Sequence, residues 1–219
     1  MTGRSAGSAE PGRQAPVWES RFPGFDVLGQ APHWDQVTAD LVAARCEPSP
    51  EVKFFTQAEE ACAAALLGQL TAQRGEPMVP VLQMIDVRLA AGETDGWRYE
   101  DMPEDGQAWR DSLSYLDADA GLRCGCGFAD APEVEQMALL QAVLDLGSGS
   151  WHGLPAAHVW SLWTRYACTA FYSHPSAWAE IGFPGPAYPR GYKNAGVGKL
   201  EPFEVADAQP SDDPVSEGA

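Results

Sequence analysis

Three histidines, His152, His158 and His174, fall within 23 residues, and imidazoles grouped this way could hold a transition metal or shuttle protons. Their spacing argues against it. His152 and His158 are six apart and point to different helical faces, and no Glu-x-x-His or His-Glu-x-x-His pattern accompanies them. Ordinary surface or capping histidines are expected. Cys124-Gly125-Cys126 could do metal or redox chemistry, but zinc sites use longer spacers and further ligands, and a c-type haem needs Cys-x-x-Cys-His. Two small thiols in a Gly-rich turn are expected, with a reversible disulfide or an adventitious metal as the alternative. A dinucleotide or flavin site would show Gly-x-Gly-x-x-Gly after a strand. Gly125 with Gly127, Gly147 with Gly149 and Gly196 with Gly198 each lack the third glycine, replaced by Asp130, His152 and Glu201. The pairs Glu100-Asp101 and Glu104-Asp105 could serve as general acid and base. However, the stretch from Asp86 to Asp145 holds 14 acidic and 4 basic residues, which reads as a solvated face. No Gly-x-Ser-x-Gly elbow is present. No catalytic, cofactor-binding or metal-binding residue is therefore assigned.

The chain has 219 residues with 14 basic against 31 acidic side chains, a formal net charge of −17. Such a balance excludes a nucleic-acid binder, whose affinity comes from Lys and Arg on phosphates. With 45% hydrophobic residues the chain can fill a core, so global disorder is excluded too. No stretch approaches 18 consecutive apolar residues, the first 30 residues lack the apolar core of a secretory signal, and no two arginines are adjacent. A cytoplasmic protein without membrane insertion is expected. Its five cysteines are expected to be free thiols.

The rest of the chain reads as helices. In PAAHVWSLWTRYACTAFYS, Val159, Leu162, Trp163, Tyr166, Ala167, Ala170 and Phe171 recur on one helical face after Pro155 in the first turn. In FFTQAEEACAAALLGQLTAQRG, Thr56 and Glu59 form a capping box ahead of Ala63, Leu66, Leu67 and Leu70. Val81, Ile85 and Leu89 mark a third helix closing at Gly92, and Trp109, Leu113 and Leu116 a fourth ending near Gly121. A fifth, capped by Asp130 with Pro132 in its first turn, carries Met137, Leu139, Leu140, Val143, Leu144 and Leu146 over most of its circumference and should be heavily buried. A shorter helix, WDQVTADLVAARC, starts at an Asp35 cap. Strand signals are nearly absent. An all-α bundle of about five to six helices is expected over residues 17–205, between a disordered leader at 1–16 and a disordered acidic tail at 206–219.

From 172 to 205 the text changes to a Gly/Pro- and aromatic-rich arm. Counting from Arg165 to Lys199, Arg165, Arg190, Lys193 and Lys199 face only Glu180. Aromatics with Arg are enriched in interface cores, and a local charge reversal suits an acidic partner. The arm is thus the candidate partner interface, through Tyr172, His174, Trp178, Phe183, Tyr188, Arg190, Tyr192 and Lys193; packing on its own bundle is the alternative.

The segments FFTQAEE (54–60), WRYEDMP (97–103), AWRDSLSYLDADA (108–120) and above all AFYSHPSAWAEIGFPGPAYPRGY (170–192) resemble the small subunit, subunit 3, of gluconate 2-dehydrogenase and related sugar dehydrogenases. The resemblance runs from about Phe22 to Asp207. It implies a non-catalytic accessory subunit that binds, folds and stabilises a separate FAD-dependent oxidoreductase of the glucose-methanol-choline type, which oxidises a sugar or polyol. A cytochrome c often completes the electron path in such complexes. Many relatives begin with a twin-arginine signal; this chain opens on a polar leader instead, so a cytoplasmic variant with a cytoplasmic flavoprotein is expected. A stand-alone helical scaffold or adaptor is the alternative.

Overall fold

The computed structural model describes residues 21–47, 51–73, 79–194 and 196–211. The expected leader and residues 212–219 of the expected tail lie outside them. Local signals start the first two helices. Helix α1 (Gln36–Ala44) begins where the Asp35 carboxylate accepts from Thr38 N–H at 3.0 Å. Helix α2 (Gln57–Leu70) opens on the capping box, with Thr56 N–H donating to Glu59 at 2.8 Å and Glu59 N–H returning to the Thr56 hydroxyl at 3.4 Å. Helix α3 spans Val81–Ala90. Helix α4 (Asp105–Cys124) runs past Gly121, where the sequence had suggested an end. Gly121 keeps helical geometry, and Gly125, at φ 72°, supplies the left-handed stop.

Helix α5 (Glu133–Asp145) departs from expectation in two ways. Asp130 closes a short 3-10 turn, Phe128–Asp130, and Pro132 rather than Asp130 occupies the cap position. Only one side is buried, through Gln136, Leu139, Leu140 and Val143, while Met137, Leu144 and Leu146 face outward because α2, α4 and the next helix lie on one flank. Before that next helix, a two-residue hairpin pairs Ser150–Trp151 (β1) with Leu154–Pro155 (β2) around His152 and Gly153, both at positive φ. Helix α6 (Ala156–Tyr172) buries six of the seven positions of its predicted stripe, Val159, Leu162, Trp163, Tyr166, Ala167 and Ala170, with Phe171 partly buried. A short helix, α7 (Pro175–Glu180), follows. The described residues are thus mostly helical.

Helices α2 to α6 enclose the main core, with Trp109, Trp163, Tyr166, Phe128, Leu66 and Leu116 at its centre. Burying each such side chain contributes about 1.5–3 kcal/mol. Two of its polar members are paired, for Trp163 Nε1 donates to the Ser112 hydroxyl at 2.9 Å and Gln136 donates to the Phe128 and Ala131 carbonyls at 2.9 and 3.1 Å, whereas the buried Trp109 indole N–H finds no partner among the described residues. Two acids of the supposed solvated stretch are buried as well. Asp86, 1% exposed, accepts from the backbone N–H groups of Lys53, Phe54 and Phe55 at 2.7, 2.8 and 3.0 Å, which fixes the entry to α2. Asp105 accepts from the Tyr166 hydroxyl at 2.7 Å and lies 3.6 Å from Arg165.

A second, smaller core lies apart from the first. Val27, Trp34 and Val42 of the N-terminal segment close on Trp178 of α7, with Phe25, Ala31, Ala39 and Ala179 around them. No helix among the described residues is long and apolar enough to cross a membrane.

Candidate functional site

Helix α6 aims the arm, because its last residue, Tyr172, leads directly into the α7 cap. His174 fills that cap: its Nδ1 accepts from Ser176 N–H at 3.2 Å, so the ring is neutral there, and burial holds its pKa below the ordinary 6.5. Trp178 donates its indole N–H to the Tyr172 carbonyl at 2.7 Å and turns its ring into the second core. These two candidate interface residues are 5% and 6% exposed in the chain by itself.

The arm then reverses direction over the N-terminal segment. Gly182 and Gly185 sit at positive φ, and a Cβ at either would collide with the Phe22 ring or the Trp34 indole. Arg190 is half-buried. Its guanidinium donates to Gln30 at 2.9 Å and lies 3.9 Å from the centre of the Phe203 ring, and burial lowers its pKa. Glu201, itself buried, receives the backbone N–H groups of Lys193 and Asn194 and so turns the chain.

Tyr172, Phe183, Tyr188, Tyr192 and Lys193 are left facing outward, with Tyr188 68% and Tyr192 61% exposed. Ile181, Val197 and Leu200 add apolar area beside them. Of the cations counted in the sequence, Arg165 belongs to the bundle, where it pairs with Asp95 and stacks on Trp97 and Tyr166. Exposed positive charge in the arm is therefore Lys193 and Lys199. The structure separates the eight candidates into an inward set, His174, Trp178 and Arg190, and an outward set that can meet another molecule.

The remaining candidates are dispersed. His152 stacks on Tyr115 and hydrogen-bonds Asp119 at 2.8 Å; His158 stacks on Tyr99 at 3.6 Å and hydrogen-bonds Asp101 at 2.8 Å. With His174 in its cap, the three imidazoles stand in separate settings. The Cys124 thiol, partly buried and beside Glu135, has its pKa raised, which disfavours the reactive thiolate. Of the glycine pairs, Gly125 caps α4, Gly147 follows α5, and Gly196 and Gly198 lie in irregular chain well beyond α7. None leads from a strand into a helix as a flavin pyrophosphate requires, so these residues do not fit that group.

Two open clefts stand out among the described residues. One, of about 660 Å³, lies between the 92–98 loop and the start of α4, lined by Phe54, Trp97, Arg98, Gln107 and Arg110. The other, of about 440 Å³, runs between α3 and α6 past Met84, Tyr166 and Ala170. Neither is lined by the outward aromatics of the arm.

The family model described as gluconate 2-dehydrogenase subunit 3 matches residues 45–185. That span takes in α2 to α7 and the start of the arm. No curated protein and no solved structure matches the chain. The family match covers more than half of the sequence and the whole of the main core, and the chain belongs to the gluconate 2-dehydrogenase subunit 3 family.

Proposed function

We propose that this chain is a non-catalytic small subunit that binds, folds and stabilises a separate FAD-dependent sugar or polyol oxidoreductase of the glucose-methanol-choline type. Membership of the subunit 3 family carries the reading. Exposed aromatics at the end of α6 and along the arm support it, since Tyr172, Phe183, Tyr188 and Tyr192 with Lys193 combine the aromatic and cationic character of interface cores. FAD belongs to the partner. A cytochrome c is a further candidate partner, and both chains would work in the cytoplasm. Because the subunit binds the folded partner, it raises the partner's stability by mass action.

Co-expression of the FAD-containing large subunit with and without this chain tests the proposal. A higher soluble, FAD-loaded yield with the chain present is expected, and a Tyr188→Ala/Tyr192→Ala variant should lose that effect while keeping its own melting temperature. Equal yields would favour an adaptor that has kept the fold without a redox partner.

A further inference from the structure

Resting on the reading that the arm docks on the large subunit, we propose that the N-terminal segment 21–47 is a clamp that positions the arm for docking. The family match begins at residue 45, so nearly all of this segment lies outside it. Beyond α7 the arm forms neither helix nor strand up to Asn194, and ordering such backbone costs conformational entropy at every residue. The contacts that offset the cost come largely from the segment. Three of the four buried residues of the second core, Val27, Trp34 and Val42, belong to it. Arg45 donates to the Ser173 carbonyl at 2.7 Å and lies over the Trp178 ring at 5.7 Å. Further along, Phe22 abuts Gly182, Trp34 abuts Gly185, and Gln30 accepts from Arg190. Arg21 ion-pairs with Asp207 at 2.6 Å, and its carbonyl accepts from Ala208 N–H at 2.8 Å.

These inward contacts alternate with the outward residues. Gly182 is followed by exposed Phe183, and Gly185 and Arg190 bracket exposed Tyr188. Fixing the inward points therefore fixes the presentation of the outward ones. An arm that is docking-competent for only a fraction of the time binds more weakly by that fraction, so a clamp raises affinity without touching the partner. Phe22, Gln30 and Trp34 are positioning residues in this sense.

The test uses the full chain and three variants: Trp34→Ala, Trp34→Phe and Gln30→Ala. The Trp34 indole N–H is buried and finds no hydrogen-bond partner among the described residues, so phenylalanine keeps a ring in the second core without orphaning a partner, losing only the outer indole carbons that reach Gly185. In Trp34→Ala, amide exchange over residues 182–194 should speed up by about 10-fold or more while α2 to α6 stay protected. Affinity for the purified large subunit, measured by calorimetry, should fall by about 10-fold. Trp34→Phe should restore most of both, and Gln30→Ala, which removes only the tie to Arg190, should shift both in the same direction by less than Trp34→Ala. Unchanged arm exchange in Trp34→Ala, or a loosened arm with unchanged affinity, overturns the clamp. An unaltered chain that fails to bind the large subunit overturns the docking reading itself; the exchange comparison in the free chain then decides whether the segment holds the arm.

Discussion

The Tyr166 hydroxyl donates to the Asp105 carboxylate at 2.7 Å, joining the middle of α6 to the first turn of α4 across 61 residues of chain. Arg165 approaches the same carboxylate at 3.6 Å and also pairs with Asp95, to which Arg88 donates at 2.8 Å. Burial, followed by the Asp105 hydrogen bond and charge, raises the Tyr166 pKa, so the phenol stays protonated and a donor at pH values where an ordinary tyrosine ionises.

Removing either side of this bond should cost unequal amounts. Tyr166→Phe deletes one donor and leaves Asp105 beside Arg165, for a loss of about 1–3 kcal/mol. Asp105→Ala strips Tyr166 of its acceptor and Arg165 of one of its carboxylates, and should cost about 3–5 kcal/mol. Urea denaturation of both variants, compared at constant slope, measures the order; equal losses would mean that the pair is not the link between α4 and α6.

Asp86 should prove as sensitive as a large apolar core residue. Its two oxygens take three backbone N–H groups, and Asp86→Ala would leave all three without an acceptor, a loss of about 3 kcal/mol or more. Asp86→Asn keeps one oxygen for Phe54 and Phe55 but turns an amide donor toward Lys53 N–H, so an intermediate loss is expected. Thermal melts of the two variants provide the comparison.

His174 gives the arm a pH dependence of defined sign. Burial, with the Arg45 charge adding to it, lowers the folded-state pKa below 6.5, so the unfolded chain binds the proton more readily. The stability contributed is fully present above the unfolded value and is lost as pH falls through the folded one. Protonation also removes the Nδ1 lone pair that accepts from Ser176. Stability measured by urea titration should therefore drop between pH 7.5 and 5, and His174→Asn, which can still cap, should flatten that part of the profile.

Two glycine-to-alanine changes should act in opposite directions. Gly185→Ala places a Cβ against the Trp34 indole at φ 77° and should destabilise by at least about 1–3 kcal/mol. Gly121→Ala meets nothing within 4 Å on the exposed face of α4 and should stabilise by about 0.5–1 kcal/mol. Melting temperatures of the two single variants check both signs.

Features legible in the sequence were those fixed by neighbours in the chain. The α6 stripe, the Thr56–Glu59 box and the Asp35 cap depend on residues within a few positions, and the helical fold class follows from them. Burial of Asp86 and Asp105 was not legible, because their partners lie 31 to 61 residues away and an acid in an acidic stretch reads as solvated until a fold surrounds it. The one-sided burial of α5 is illegible for a related reason: apolar residues on all sides do not say which side has a neighbour. In the candidate interface, residue type singled out the arm, but only the fold separates Trp178, turned inward, from Tyr188, turned out. The pairing of segment 21–47 with the arm and the residues just after it carries no periodic signal at all, since its ties span 128 to 188 positions.

Those long spans set an order of completion. A chain made from its N-terminus has delivered every residue of α2 to α6 before Trp178, Gly185, Arg190 and Asp207 emerge, and domains formed earlier can fold while synthesis continues. Val27 and Trp34 are among the first described residues to be made and must wait for some of the last to cover them. A chain cut short within the arm would complete its bundle yet leave that tryptophan in water. The closed second core thus marks a molecule that has been synthesised through its arm.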